Sequence, residues 1–517
     1  MHPIFDTQFF PTQKPFNRAM AAEERPGIDQ ALPAISAQET LPQRLAQLLP
    51  GGVGSTEAHL PALAQGGVGI AVAAFSQPER PWFRPLQRQQ FLEDPEGGFA
   101  LVSALTQSRE PKLKLLFERL KKNQGVDYYG ILQEEFNWLL AENQRLKGSA
   151  LEFRLLEDFA HLQETRMDEK PTLGVLLAVR GGHNLMHYQS DADQEIPPDV
   201  VNNTDSPEYT FFEEALEENI QALKKWGKAG SLAPFYITLA GHFWNGLCGH
   251  AHSLPERLLQ AGITEEFGVD TGITALGYQA IAQLLGKQNG RRILIDVHGM
   301  SVRSRVAYYK HLRNTYWSRS DNVPILYLGG GSAGTKTMLE ATRRRDSTLS
   351  RQESYYNNGT INLSDEEIRL IVESDGFIGL SLDPSSLGGG IAHRELQAAR
   401  TEKGARKTLM QLFTANLFRV VRAVGKVKAY DHVGLCSEMG YLYRETAGYS
   451  SAADLQAFAE DFIAYLKSPE TNPYAGIDKG DVEMYLFQQP AEEIAQKVLS
   501  GSFKAFLSRY FQPEYLS

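Results

Sequence analysis

The sequence predicts a (β/α)8 barrel, a single elaborated domain over residues 1–517. Three observations predict it. Eight short apolar runs punctuate the chain, amphipathic helical segments lie between most of them, and the runs are apolar at nearly every position. Strands covered on both faces need that continuous character, whereas half-exposed strands alternate. Eight such strands interleaved with helices are the pattern of a closed parallel barrel.

In chain order the predicted strands are 3–9 (PIFDTQF), 66–75 (GGVGIAVAAF), 173–180 (LGVLLAVR) and 233–241 (APFYITLAG). The other four are 292–299 (RILIDVHG), 323–330 (VPILYLGG), 376–383 (GFIGLSLD) and 432–440 (HVGLCSEMG). Residues 10–65 and 76–170 read as insertions after the first and second strands, the latter with helices over 131–148 and 151–166. Further on, EYTFFEEALEENIQALKKWGKAG has helical spacing and ends on glycine, GYQAIAQLLGKQNG precedes the fifth strand, and SVRSRVAYYKHLRNT follows it. NLSDEEIRLIVESDG opens with a capping box of Ser364 and Glu367. LMQLFTANLFRVVRAVGK leads into the eighth strand, and PAEEIAQKVLSGSFKAFLSRYF closes the chain.

Composition narrows the function. With 42% hydrophobic and 22% charged residues the chain reads as an ordinary globular protein. A formal charge of -10 argues against nucleic acid as a main partner, since phosphate binding needs a net basic face. The basic run Ala341 to Arg351 reads as a solvated helix end. Two distant cysteines, Cys248 and Cys436, form no disulfide framework and suit a reducing compartment. The N-terminus lacks the basic start and apolar core of a signal peptide, and no apolar run approaches the ~20 residues of a membrane span. A cytoplasmic protein without a membrane partner is the expectation.

A barrel of this kind builds its active site at the C-terminal ends of its strands. Those positions hold Gln8 and Phe10, Arg180 and His183, His242, His298, Gly329 to Gly331 with Ser332, Asp383, and Glu438. The set is polar, mixed in charge and poor in clustered metal ligands.

These stretches resemble the membrane (renal) dipeptidases, zinc peptidases on a metal-dependent hydrolase barrel. GGVGIAVAAF is similar to that family's glycine-rich second strand, and AVRGGHNL to its Glu-Gly-Gly-His. GITALGYQAIAQLLGKQNGRRILIDVHGMS resembles its glycine-rich lead-in, helix and Asp-x-Ser/Ala-His-x-Ser. NLSDEEIRLIVESDGFIGLSL and DHVGLCSEMG resemble its Asn-x-x-Asp-Glu helix and its His-Val-Gly-x-Gly-Ser-Asp-Phe-Asp. The landmarks run in family order over nearly the whole chain. The resemblance implies two zinc ions, dipeptide hydrolysis and a homodimer.

At the metal-ligand positions the sequence departs from that family. Gln8 and Phe10 replace the first-strand His-x-Asp, and Arg180 replaces the bridging Glu. On the fifth strand His298 stands one residue early, with Gly299 at the expected position, and such a shift turns a strand side chain to the opposite face. Leu328 and Gly329 to Gly331 stand where Ser-His-Ser is expected. Glu438 alone survives in kind, following Ser437 as the family's Asp follows its Ser, and it is the one residue to which the resemblance gives a catalytic role. At ~4 Å and an effective dielectric of ~20, a divalent ion beside Arg180 would be repelled by ~8 kcal/mol. Arginine cannot escape by losing its proton. The expectation is therefore no zinc and no other cofactor, with Arg180 acting as a fixed cation paired with Glu438.

Three further patterns bear on the site. Gly330, Ser332 and Gly334 satisfy a nucleophile-elbow spacing, with Asp383, His393 and His432 as partners by chain order, but the fold is not the one that motif needs. Lys336 falls one residue late for a Walker A loop. A glycine-rich turn over Gly330, Gly331 and Ser332 would offer backbone N–H groups to a small anion. His183 matches the family's substrate-contacting histidine; His242, His250, His252 and His298 could supply a relocated metal site; and Asp296 fits the frame of the fifth strand.

Two functional classes follow. One is a barrel that binds a small anionic or peptide-like ligand, or a protein partner, through Arg180, His183, Gln8, His298, Gly330, Gly331 and Ser332 beside Glu438. The other is a hydrolase with a rearranged metal site.

Overall fold

The computed structural model describes residues 3–21, 24–32, 58–87, 92–106, 108–121, 125–167, 172–188, 195–254, 258, 262–344, 353–441 and 448–517. Nearly half of the first insertion and the end of the basic run 341–351 lie outside them.

Eight parallel strands close into a barrel: β1 Ile4–Phe9, β2 Val68–Phe75, β3 Leu173–Arg180, β4 Tyr236–Thr238, β5 Leu294–Asp296, β6 Leu326–Gly330, β7 Phe377–Ser381 and β8 Val433–Cys436. Neighbours in space are neighbours in this list, and the ring closes where β1 pairs with β8 through Asp6 and Leu435. The longest ladder joins β2 to β3, from Ile70 opposite Gly174 to Phe75 opposite Val179. All eight runs chosen for their continuous apolar character form strands. Almost every residue in them is buried, because the barrel interior covers one face and the helices cover the other.

The helices that matter below are α1 Tyr128–Arg145, α2 Pro207–Leu223, α3 Ala275–Leu285, α4 Val302–His311, α5 Asp365–Glu373 and α6 Glu402–Val424. Local chemistry sets their starts. Ser206 caps α2 and is followed by proline, Thr274 caps α3, and Ser301 caps α4. At α5 both halves of the predicted capping box form, with Ser364 and Glu367 each bonding the other's backbone N–H.

One predicted element is corrected. Residues 151–166 do not form one helix: Phe153–Leu155 is a short strand whose Phe153 and Leu155 are buried around a half-exposed Arg154, and a helix begins only at Phe159. A period of two, over only three residues, was hidden in a segment whose composition favours helix. This strand pairs with Leu173 to Val175 on β3. Among the described residues no helix is long and apolar enough to cross a membrane, and Cys248 and Cys436 are both free and buried.

Candidate functional site

Arg180, the last residue of β3, points into the barrel mouth and is only 5% exposed. Its Nη1 donates to Gln8 Oε1 at 2.9 Å, its Nη2 reaches His298 Nδ1 at 3.2 Å, and Nη1 lies 3.4 Å from Glu438 Oε1. The Tyr441 ring covers the guanidinium, with its centroid 4.6 Å from Cζ. Burial works to lower the Arg180 pKa, but Tyr441, Glu438 and Asp296 outweigh it, so the group stays firmly charged. Arg180 Nε has no hydrogen-bond partner among the described residues.

Each neighbour is held in place. Gln8 Nε2 donates to the Tyr236 hydroxyl at 3.2 Å, and that hydroxyl donates to the Thr7 carbonyl at 2.7 Å, which fixes the amide with its oxygen towards Arg180. Glu438 accepts from Ser381 Oγ at 3.0 Å, while its backbone N–H donates to Gln8 O at 2.8 Å. Its backbone is left-handed, with φ 51°, a conformation that costs a non-glycine residue energy and turns the carboxylate inward. Beside it Gly329 has φ 97°, and a Cβ there would meet the Glu438 carboxylate at 2.4 Å. The glycine is a condition of the carboxylate's position.

The expectation for His298 is corrected. β5 ends at Asp296, and the chain then turns through Gly299 at φ 83°. Strand alternation does not extend to residue 298, so the imidazole turns to Arg180 instead of away from it. Because a guanidinium only donates, His298 Nδ1 is the acceptor, and the ring proton sits on Nε2. Burial and then Arg180 hold its pKa well below the ordinary value. Asp296 does frame the strand: it accepts from Thr238 Oγ1 at 2.6 Å and from the backbone N–H groups of His298 and Leu328, each at 3.0 Å. Burial raises its pKa to about 6.

His183 lies just past β3. Its Nε2 is 2.9 Å from the Gln77 carbonyl, so that nitrogen carries the proton, and Nδ1 faces Glu79 Oε1 at 3.9 Å. Burial brings its pKa down to about 4. Glu79 accepts the backbone N–H groups of His242 at 3.1 Å and Phe243 at 3.2 Å, which pins the exit of β4 over the mouth. Burial nevertheless pushes Glu79 up to about 8 against those two bonds and Arg180. Sequence reasoning missed Glu79 and Tyr441. Tyr441 stands three residues beyond Glu438, within reach of a wider reading of strand ends; Glu79 sits in the second insertion and carries no comparable signal.

The glycine loop after β6 does not offer itself to a ligand. The N–H groups of Gly331 and Ser332 bond Asn362 and Asn416, Ala333 bonds Leu363 O, and Gly334 bonds Ser332 Oγ. The expected anion cradle is corrected at Gly331 and Ser332, whose N–H groups the fold consumes. Nor does a serine triad assemble. Asp383 caps the turn Pro384–Leu387, and His432 bonds Gly376 O at the foot of β7, the opposite end of the barrel from Ser332.

The donors at the mouth are already committed to one another. The nitrogen of His298 that faces the mouth is engaged by a cation, Gln8 offers its oxygen to the same cation, and a fixed positive charge stands between them. Two histidines expected for a relocated site are engaged within the fold. Both ring nitrogens of His250 face backbone carbonyls, and His242 Nδ1 bonds Ser253 Oγ at 2.8 Å. Among the described residues no group of three His, Cys, Asp or Glu is arranged to hold a metal ion.

No protein-family model matches this chain, and no curated protein matches it by sequence. Solved structures do. A metallo peptidase from Rhodobacter sphaeroides, liganded with a phosphinate mimic of the dipeptide L-Ala-D-Ala, is 13% identical and matches over 98% of this chain and 99% of its own, with a TM-score of 0.46. Dipeptidase AC, a metallo peptidase of family M19, is 14% identical over 99% of both chains, with a TM-score of 0.46. The probable dipeptidase PvdM from Pseudomonas aeruginosa is 13% identical over 98% of this chain and 95% of its own, with a TM-score of 0.44. The barrel itself rests on the strand pairing above.

Proposed function

We propose that this protein is a dipeptidase-like barrel that has exchanged the dinuclear zinc centre for a fixed organic cation. In this reading it binds a small ligand, anionic or peptide-like, at the barrel mouth and does not hydrolyse dipeptides by metal chemistry. One observation carries the reading. The Arg180 guanidinium is held among Gln8, His298 and Glu438 at 2.9, 3.2 and 3.4 Å, on the ground a bridging carboxylate would need. A buried arginine with an unpartnered Nε–H still has a donor to give, and a carboxylate or carbonyl oxygen is its natural acceptor.

Two measurements on the purified chain test this. Metal analysis should find substoichiometric zinc and manganese, and chelation should leave its properties unchanged. Calorimetric titration with acetate and with glycylglycine should detect binding to the wild type that Arg180→Glu abolishes. Stoichiometric zinc with chelator-sensitive dipeptide hydrolysis would establish the hydrolase reading in its place.

A further inference from the structure

Under the two insertions, buried charges of opposite sign stand near each other without meeting. Lys112, on the helix Glu110–Lys121, is 3% exposed, and Glu135, on α1, is 0% exposed. Among the described residues the two form no ion pair, and neither Lys112 Nζ nor Glu135 Oε1 has a hydrogen-bond partner. Each nevertheless lies in the other's field. Burial pushes the Glu135 carboxyl up and the Lys112 ammonium down, and in both cases the other charge opposes the shift. Unlike charges left apart in an interior carry their desolvation cost without the attraction that offsets it.

Three buried amides complete the surroundings, and their own bonds fix which way each one faces. Gln77 Nε2 donates to Glu135 Oε2, which leaves Gln77 Oε1 as an unpartnered acceptor. Gln13 Nε2 donates to Thr106 O and Ser108 Oγ, each at 3.1 Å, just ahead of the helix that carries Lys112, and Gln13 Oε1 is left over. Asn17 Oδ1 accepts from the Ala19 N–H at 3.0 Å, which leaves Asn17 Nδ2 as a donor. Asn17 follows Phe16, whose ring centroid is 5.6 Å from Lys112 Nζ.

The leftover atoms fall into two sets. Glu135 Oε1, Gln13 Oε1 and Gln77 Oε1 are acceptors, the first of them on an acid; Lys112 Nζ and Asn17 Nδ2 are donors, the first of them on a base. Buried polar atoms in native proteins find partners. Water would supply hydrogen bonds here but no charge to either ion. An occupant that satisfies both sets carries three N–H donors on a positive centre and two acceptor oxygens on a negative one, a few bonds away. That is the head of a free α-amino acid. We infer that Gln13, Asn17, Gln77, Lys112 and Glu135 form a binding site for a free amino acid, its ammonium towards Glu135 and the two glutamines and its carboxylate towards Lys112 and Asn17. The site is distinct from the barrel mouth and does not depend on what the mouth binds. Gln77 stands between the two, with its carbonyl on His183 and its side chain on Glu135.

Calorimetric titration of the full chain with the common L-amino acids, one at a time, tests the site. At least one should bind. Its N-acetyl and carboxamide derivatives, each lacking one charge of the head, should bind weaker by roughly thirtyfold or more. Lys112→Met and Glu135→Gln should each weaken the free amino acid by a similar factor, while Arg180→Glu at the mouth leaves its affinity unchanged. Gln13→Met keeps both charges and should weaken binding by roughly fivefold; it stands in for either charge variant that circular dichroism shows to be unfolded. Failure of every amino acid to bind, derivatives that bind as well as the parent, or binding that Arg180→Glu abolishes and Lys112→Met spares would each overturn the assignment.

Discussion

Two buried arginines face two buried glutamates in this molecule, and they are built very differently. Arg305 and Glu367, both 0% exposed, saturate each other: Arg305 Nε donates to Glu367 Oε1 at 2.6 Å, Nη1 to Met300 O at 2.7 Å, and Nη2 to Thr360 O at 2.9 Å. Glu367 in turn accepts from the backbone and hydroxyl of Ser364. Arg180 and Glu438 are almost as buried, yet their closest approach is 3.4 Å, and among the described residues Arg180 Nε has no hydrogen-bond partner. Burying an ion pair is tolerable when every donor is met, and costly when one is not. The first pair ties α4 to the start of α5 and belongs to the architecture. The second keeps a donor in reserve at the place where such barrels do their work.

The contrast can be broken by substitution. Arg305→Met strands Glu367 in the interior and should cost about 3–5 kcal/mol in urea denaturation. Arg180→Met should cost less, about 1–3 kcal/mol, because it removes the two hydrogen bonds to Gln8 and His298 but leaves Glu438 held by Ser381. Equal losses would erase the distinction between the two pairs.

Glu79 is held at about 8 in the folded chain, well above the ~4.3 of an unfolded glutamate. The folded state therefore binds this proton more tightly. The associated stability is complete below the unfolded pKa and drains away as pH rises to the folded one. Denaturation midpoints of the wild type should fall between about pH 5 and pH 8, with the part above about pH 6, where Asp296 has already ionised, assigned to Glu79. Glu79→Gln, which cannot ionise, should flatten that upper part. An unchanged slope in the variant would show that the proton resides elsewhere.

The barrel was legible in the sequence because burial on both faces writes itself as continuous apolar runs, and β3 matches its predicted bounds end to end. Arg180, Gln8 and Glu438 were legible for the same reason: each ends or follows such a run. His298 was misjudged because strand alternation was carried past the end of β5 into a turn. The glycine loop was misjudged because Asn362 and Asn416, which take its N–H groups, lie far along the chain. The strand 153–155 was lost because it is too short to show its period.

That small strand has a consequence for the integrity of the ring. Along one edge of β3, the far half is covered by β4, which pairs with residues 178–180, and the near half by Phe153–Leu155, which pairs with residues 173–175. The second insertion is thus stitched into the sheet and is more than an ornament upon it. Excising the loop would bare a row of backbone groups on a core strand, and bare edges of that kind recruit foreign strands. A trimmed version of this chain should precipitate before it loses its secondary structure.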